Sequence, residues 1–265
     1  MSFILLILIG TVSGVASAYL GIGGGIILVP ILTEILYSKG LSLDQTMTSA
    51  FATALFIAVF TTASSSYRQY RQNNIVFSAI PYTAAGAITG GWLGAWLGSN
   101  ISGKGLTMLF GSFLILASIN LFISSGRNGN KINLTSYRRT GFLTLGLITG
   151  ILGALFGIGG GIIMIPIFVL LFGLPAGKVA GTSSSIAFFL SISSVIAYLI
   201  FGVGRAAEGA GFWGVIDLSL AVPIAIGTTL TAPLGAMLNK RYKGATYLRI
   251  FASFLLFVAF RMLFR

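Results

Sequence analysis

The chain contains no cysteine and no histidine, and only four acidic residues stand against sixteen basic ones. Each shortage removes a class of function. Without cysteine there is no disulfide, no thiolate nucleophile and no thiolate metal ligand; without histidine there is no imidazole metal site and no histidine proton relay. The carboxylates form no pair suited to general acid–base work, so an intramembrane enzyme is a poor fit and no catalytic residue is assigned. No metal and no cofactor is expected.

Charge of either sign is scarce. Charged residues make up 8 % of the chain and hydrophobic ones 56 %, with a mean hydropathy of +0.99. Soluble domains carry roughly 25 % charge. Apolar runs of membrane-spanning length recur from end to end without polar alternation. These features define an all-α integral membrane protein and exclude a barrel. The net charge of +12 is scattered among loops, with no basic domain, so nucleic acid is not an expected partner. Met1-Ser2-Phe3 has no Lys or Arg before its apolar run, so this stretch reads as a membrane segment rather than a signal peptide.

What is abundant is glycine, 36 residues in all. Gly21-Ile22-Gly23-Gly24-Gly25-Ile26-Ile27-Leu28-Val29-Pro30 returns 136 residues later as Gly157-Ile158-Gly159-Gly160-Gly161-Ile162-Ile163-Met164-Ile165-Pro166. The surroundings repeat too: Gly10, Gly14 and Ala18 correspond to Gly146, Gly150 and Ala154. One unit has been used twice. Apolar segments are expected at 3–20, 26–37, 46–64, 75–97 and 106–123, then at 141–156, 162–172, 179–201, 214–238 and 245–264. The domains follow: residues 1–124 form a first repeat, 125–139 a polar linker and 140–265 a second repeat.

Five segments per repeat is an odd number, so the second repeat starts on the opposite face. The fold expected is two inverted-topology repeats of five helical segments, the first two of each forming a glycine-turn hairpin. With both termini outside, ten basic residues fall on the cytoplasmic face, among them Arg68, Arg71, Arg127 and Arg139, and four fall outside. That bias supports a plasma-membrane protein with a cytoplasmic linker. The segments flanking each glycine turn are short, 18 and 12 residues in one copy and 16 and 11 in the other. Either both members cross, or the hairpin dips partway and returns. The charge pattern suits both; the apolar character of the turn favours the second.

Short, glycine-interrupted segments at matching places in both halves point to a binding site. A helix start offers backbone N–H groups with no helical partner and the positive end of the helix dipole, which together suit an anion. The candidate ligands are Gly21, Gly23, Gly24 and Gly25, with Gly157, Gly159, Gly160 and Gly161. Hydroxyls from the starts of the third and eighth segments, Thr48, Ser49, Thr182 and Ser183, are candidate additional donors. The rival role for those hydroxyls is to satisfy their own backbone. Glycines on helix faces, such as Gly86, Gly90, Gly94, Gly146 and Gly150, are read as packing points. The turn mimics a dinucleotide fingerprint, but no strand precedes it. Asp217 and Arg261 lie at membrane depth and are expected to pair; Glu34 is a candidate carrier of a coupling proton.

The twin glycine motifs ahead of Pro30 and Pro166, Gly181-Thr182-Ser183, and the Gly-x-x-Leu-Gly-type ends of the fourth and ninth segments together resemble the sulfite exporter TauE/SafE family over essentially the whole chain. The resemblance implies a multi-pass exporter of sulfite, sulfoacetate or related sulfur-containing anions. The first half departs from the motif in having Met47 where the second has Gly181. A passive anion channel and a non-transporting assembly subunit are the alternatives. The partners implied are a small anion and the lipid bilayer, and a homo-oligomer stays open.

Overall fold

The computed structural model describes residues 2–20, 24–124, 139–170, 172–207, 209, 211–241 and 245–263. The expected linker lies outside the described residues except for Arg139, which opens α6. Ten α-helices follow in order: α1 (Phe3–Leu20), α2 (Gly25–Ser38), α3 (Leu43–Arg71), α4 (Ile80–Asn100), α5 (Gly103–Ser124), α6 (Arg139–Leu155), α7 (Gly161–Leu170), α8 (Ala176–Phe201), α9 (Leu218–Arg241) and α10 (Ala245–Leu263). Of these, α3, α8 and α9 are long and apolar enough to cross a bilayer. Leu116, Leu230 and Phe257 turn large apolar side chains outward, as a lipid-facing surface requires.

Two boundaries differ from the sequence reading for physical reasons. Ser42 and Gln45 form a reciprocal capping box that starts α3 at Leu43, and the helix runs on to Arg71, so the expected polar loop at 67–74 is mostly helical. Residues 214–217, expected within the ninth segment, instead belong to a small hairpin. Strands β1 (Phe212–Trp213) and β2 (Ile216–Asp217) pair antiparallel, with Gly209, Gly211 and Gly214 at positive φ around them. Asp217 then caps α9, accepting from the Leu220 amide at 3.2 Å.

The most extensive helix packing is across the two halves. The most extensive partner of α1 is α9, and that of α6 is α4; α3 packs on α8, and α5 on α10. Exchanging each helix for its counterpart five places on reproduces these pairings.

Glycine makes the two closest contacts possible. A methyl group at Gly10 would lie 2.3 Å from the Ile224 carbonyl oxygen, and one at Gly227 2.4 Å from that of Ile7. Where α4 meets α6, Gly86, Gly90 and Gly94 lie against the carbonyls of Leu143, Leu147 and Ile151, while Gly146 and Gly150 lie against those of Thr83 and Ala87. The packing role read for these glycines is the one they have. In lipid such close approach replaces the hydrophobic drive that water would supply.

Candidate anion site at the glycine corners

The second corner shows how its sequence builds it. Gly157 takes φ 66°, ending α6, and the amides of Ile158 and Gly159 both turn back to the Gly153 carbonyl at 2.9 and 3.3 Å. Gly159 and Gly160 follow at φ 74° and 77°. Three left-handed residues in four positions strain any side chain, which is why the motif is glycine. The Gly160 carbonyl then accepts from Ile163 and Met164, and α7 begins.

In the first corner Gly24 stands before α2 at φ 80°, and its carbonyl accepts from Ile27 and Leu28. No side chain caps this helix. The leading amides of α2 and α7 therefore lack intrahelical acceptors, as at any helix start. Gly21 and Gly23 lie outside the described residues.

The two corners touch. A methyl group at Gly25 would fall 1.9 Å from the Gly157 carbonyl oxygen and 2.7 Å from the Ile158 Cα; one at Gly157 would fall 2.9 Å from the Phe51 Cα. Residues 132 positions apart thus meet backbone to backbone beside α3. The contact is deep. Gly160 lies beside Leu190, at the middle of α8. Helix α2 has 14 residues and α7 has 10, about 21 and 15 Å, short of the ~30 Å hydrocarbon core.

Hydroxyls surround the corners, though mostly not the expected ones. Ser17 Oγ lies 3.3 Å from where a Gly24 methyl would be and donates to the Ser13 carbonyl. Beside it is a cavity of about 20 Å³, lined by Ser17, Thr61, Thr62, Ser65, Gln69 and Ser184. That is room for about one water. Ser191 Oγ lies 3.6 Å from a methyl at Gly159 and is buried without a hydrogen-bond partner, as is Ser49 Oγ. An unsatisfied buried hydroxyl costs roughly 1–3 kcal/mol. Neither Ser17 nor Ser191 was singled out from sequence. Ser17 sits inside a small-residue stripe that reads as packing; the signal for Ser191 was the polar run Ser191, Ser193, Ser194 inside an apolar helix.

Thr48 and Thr182 do not join one site. Helices α3 and α8 are antiparallel: Thr48 near the start of α3 meets Arg205 just beyond the end of α8, and further along Ser65 lies beside Ser184 at 3.3 Å. Gly181 therefore lies next to Gln69, and Thr48 is 21 positions away along α3, about 31 Å. Each threonine instead holds the opposite half. Thr48 Oγ1 accepts from Arg205 Nη1 at 3.2 Å; the same nitrogen donates to the Ile101 carbonyl at 2.7 Å and that of Gly98 at 3.3 Å. Thr182 Oγ1 accepts from the Val76 amide at 2.9 Å and donates to the Lys178 carbonyl. Ser183 donates to the Ala180 carbonyl at 3.2 Å.

The expected Asp217–Arg261 pair is not formed. Asp217, fully buried, accepts from Lys39 Nζ at 2.5 Å and from Ser219, besides capping α9. Arg261 pairs with Glu34 at 3.3 Å, with both side chains substantially exposed. The reason is placement: Asp217 leaves the hairpin facing the end of α2, whereas Arg261 lies along α2's side, a turn below. Asp217 thus has a structural task, and Glu34 is a partner of a cation.

With the geometry in place, the class of protein is clear: a polytopic all-helical membrane protein whose relatives are transporters. A probable membrane transporter protein of Bacillus subtilis, YunE, is 26 % identical over 280 residues, covering 100 % of this chain and 98 % of its own. A second, MJ0441 of Methanocaldococcus jannaschii, is 29 % identical over 253 residues, covering 95 % and 91 %. A sulfite exporter TauE/SafE family protein of Arabidopsis thaliana, number 6, is 34 % identical over 92 residues, covering 35 % of this chain and 21 % of its own. The sulfite exporter TauE/SafE family model matches residues 6–262, and the chain belongs to that family. No solved structure matches it.

Proposed function

We propose that this membrane transporter exports a small sulfur-containing anion, sulfite, sulfoacetate or a related organosulfonate, held at the paired glycine corners. The supporting observation is the contact of Gly25 with Gly157. It sets the uncapped start of α2 against the corner that ends α6 and leads, four residues on, into α7, with buried hydroxyls nearby. Neutral donors suit such a guest: amides and hydroxyls solvate an oxyanion without a fixed cation that would hold it too tightly for release.

The cavity beside Ser17 is too small for sulfite, so the site opens only when helices move. Alternating access between two inverted repeats is the motion we propose. The exchange pattern of helix pairings supports it, and so do the two threonine contacts at opposite ends, each joining a helix of one half to a loop of the other. In this reading Lys39, Lys104 and Arg205 mark the outer end and Arg68, Arg71 and Lys178 the cytoplasmic end. Among the described residues no titratable side chain lines the small cavity beside Ser17, an observation that favours passive anion flow as the second reading.

Reconstitution into liposomes tests both. Sulfite flux that saturates and is accelerated by sulfite on the far side supports a transporter. Linear, unidirectional leak supports a channel. Sulfate, thiosulfate and sulfoacetate as competitors define the anion. Gly24→Val and Gly160→Val should abolish flux, and Ser17→Ala, which keeps the backbone unstrained, should weaken sulfite binding.

A further inference from the structure

Along α2 lies a larger space, about 400 Å³, bounded by α2, α5 and α10. Its volume falls in the range of small-molecule sites. Its lining changes character along its length. Ile27, Pro30 and Ile31 of α2, Met108 of α5, and Phe257 and Val258 of α10 make an apolar stretch; Glu34, Lys104 and Arg261 lie towards the other end. From Ile27 to Tyr37 is ten residues of helix, about 15 Å. The charged end is the end of the molecule that carries Lys39 and Asp217. Phe257 and Met108 are 66 % and 51 % exposed, so the slot opens sideways into the membrane.

We propose that this slot is a binding site for one anionic phospholipid, with an acyl chain along Ile27, Pro30 and Ile31 and its phosphate at Lys104 and Arg261. Three observations carry it. The opening faces lipid, where a chain and not water is the available filler. Among the lining residues two cations stand against one carboxylate, Glu34, which is paired with Arg261; Asp44 beside Lys104 is engaged by the Gly103 amide, and Lys104 is the cation offered to a phosphate carrying no compensating amine. And the lining passes along α2 from apolar side chains at Ile27 to charged and polar ones at Glu34 and Tyr37, the order of a lipid's chain and headgroup. A seated lipid would brace α2, the helix whose start forms the first corner. The assignment does not depend on what the corners bind.

The test is native mass spectrometry of the purified full chain released from nanodiscs containing equal phosphatidylglycerol and phosphatidylcholine. One tightly retained phosphatidylglycerol is expected. Lys104→Gln should cut the preference for phosphatidylglycerol over phosphatidylcholine about fivefold, the effect of one basic residue at a headgroup. Ile31→Trp, which fills the apolar stretch, should remove the retained lipid, while Leu116→Trp on the open face of α5 should not. Equal retention by wild type, Lys104→Gln and Ile31→Trp would overturn the proposal. So would displacement of the lipid by tail-free methanesulfonate, because the site would then be one for a small anion. Sulfite flux measured on the same proteins separates this result from the transport reading: flux can fail while the lipid stays bound, and the reverse.

Discussion

The two glycine corners share almost the same ten residues yet sit in different surroundings. The position 136 residues before Gly153 is Ser17. In the first half this serine stands clear of Gly24, with a small hydroxyl-lined cavity beside it. In the second half the equivalent glycine lies directly on the corner: a methyl group at Gly153 would sit 2.8 Å from the Gly160 nitrogen. One corner has a serine with a small polar cavity beside it, and the other has backbone. The difference comes from α1 and α6, not from the motif; under the proposed function it makes the first copy the more polar face towards the ligand and the second the more packed one. Near-identity of a repeated motif is therefore weak grounds for equal function.

The largest effect should come from the contact the corners share. Gly25→Ala drives a methyl group into the Gly157 carbonyl and needs backbone movement of two loops at once, so a loss of about 3 kcal/mol or more is expected, seen as poor yield and a lowered melting temperature in detergent. Gly24→Ala, one residue earlier, meets only the Ser17 hydroxyl at 3.3 Å and costs mainly its left-handed φ, about 1–2 kcal/mol. If the two variants melted alike, the corners would not be in contact.

Exchanging the neighbours tests the assignment of tasks. Gly153→Ser should destabilise by about 1–3 kcal/mol through overpacking on Gly160 and Leu190, with sulfite affinity of the folded fraction little changed. Ser17→Gly should cost under about 1 kcal/mol of stability but weaken sulfite binding about tenfold, the worth of a hydrogen bond to a charged acceptor. The opposite pattern would exchange the roles of the two corners.

A smaller contrast separates the two ends of the molecule. Thr182→Val leaves the Val76 amide without its acceptor and should cost about 1 kcal/mol. Thr48→Val leaves Arg205 with two backbone carbonyls, so about half that loss or less is expected. Thermal melts of both variants beside wild type check the ranking.

Much of this was readable beforehand, for reasons particular residues make plain. Helix existence followed from apolar run length, and the stripe of Gly10 and Gly14 announced a backbone contact because only small residues permit one. The glycine corners were visible because three consecutive glycines exceed what packing needs. The pairing of charges was not. Asp217 reads as intramembrane only while residues 214–217 are taken as helix; once positive-φ glycines fold them into a hairpin, it faces Lys39. Nor was the separation of Thr48 from Thr182 visible as a distance, although it follows from the inverted start of their helices. Similar sequence at the head of two antiparallel helices means opposite ends, and the hydroxyls at Gly24 and Gly159 come from the last turn of α1, at Ser17, and from mid-α8, at Ser191.

Ser191 brings the comparison down to one atom. Its hydroxyl is buried and unpartnered beside Gly159. If it is a packing accident, Ser191→Ala relieves an unsatisfied donor. Stability then rises by up to about 1 kcal/mol, and the melting-temperature increase caused by saturating sulfite stays as in wild type. If the second corner contributes to the ligand, the same variant gains that stability without sulfite but loses part of the sulfite-induced increase. Melts with and without the anion, run beside Ser17→Ala, distinguish these outcomes. An asymmetric site predicts that Ser17→Ala loses more of the increase than Ser191→Ala does, and an equal loss would mean that both corners grip the anion together.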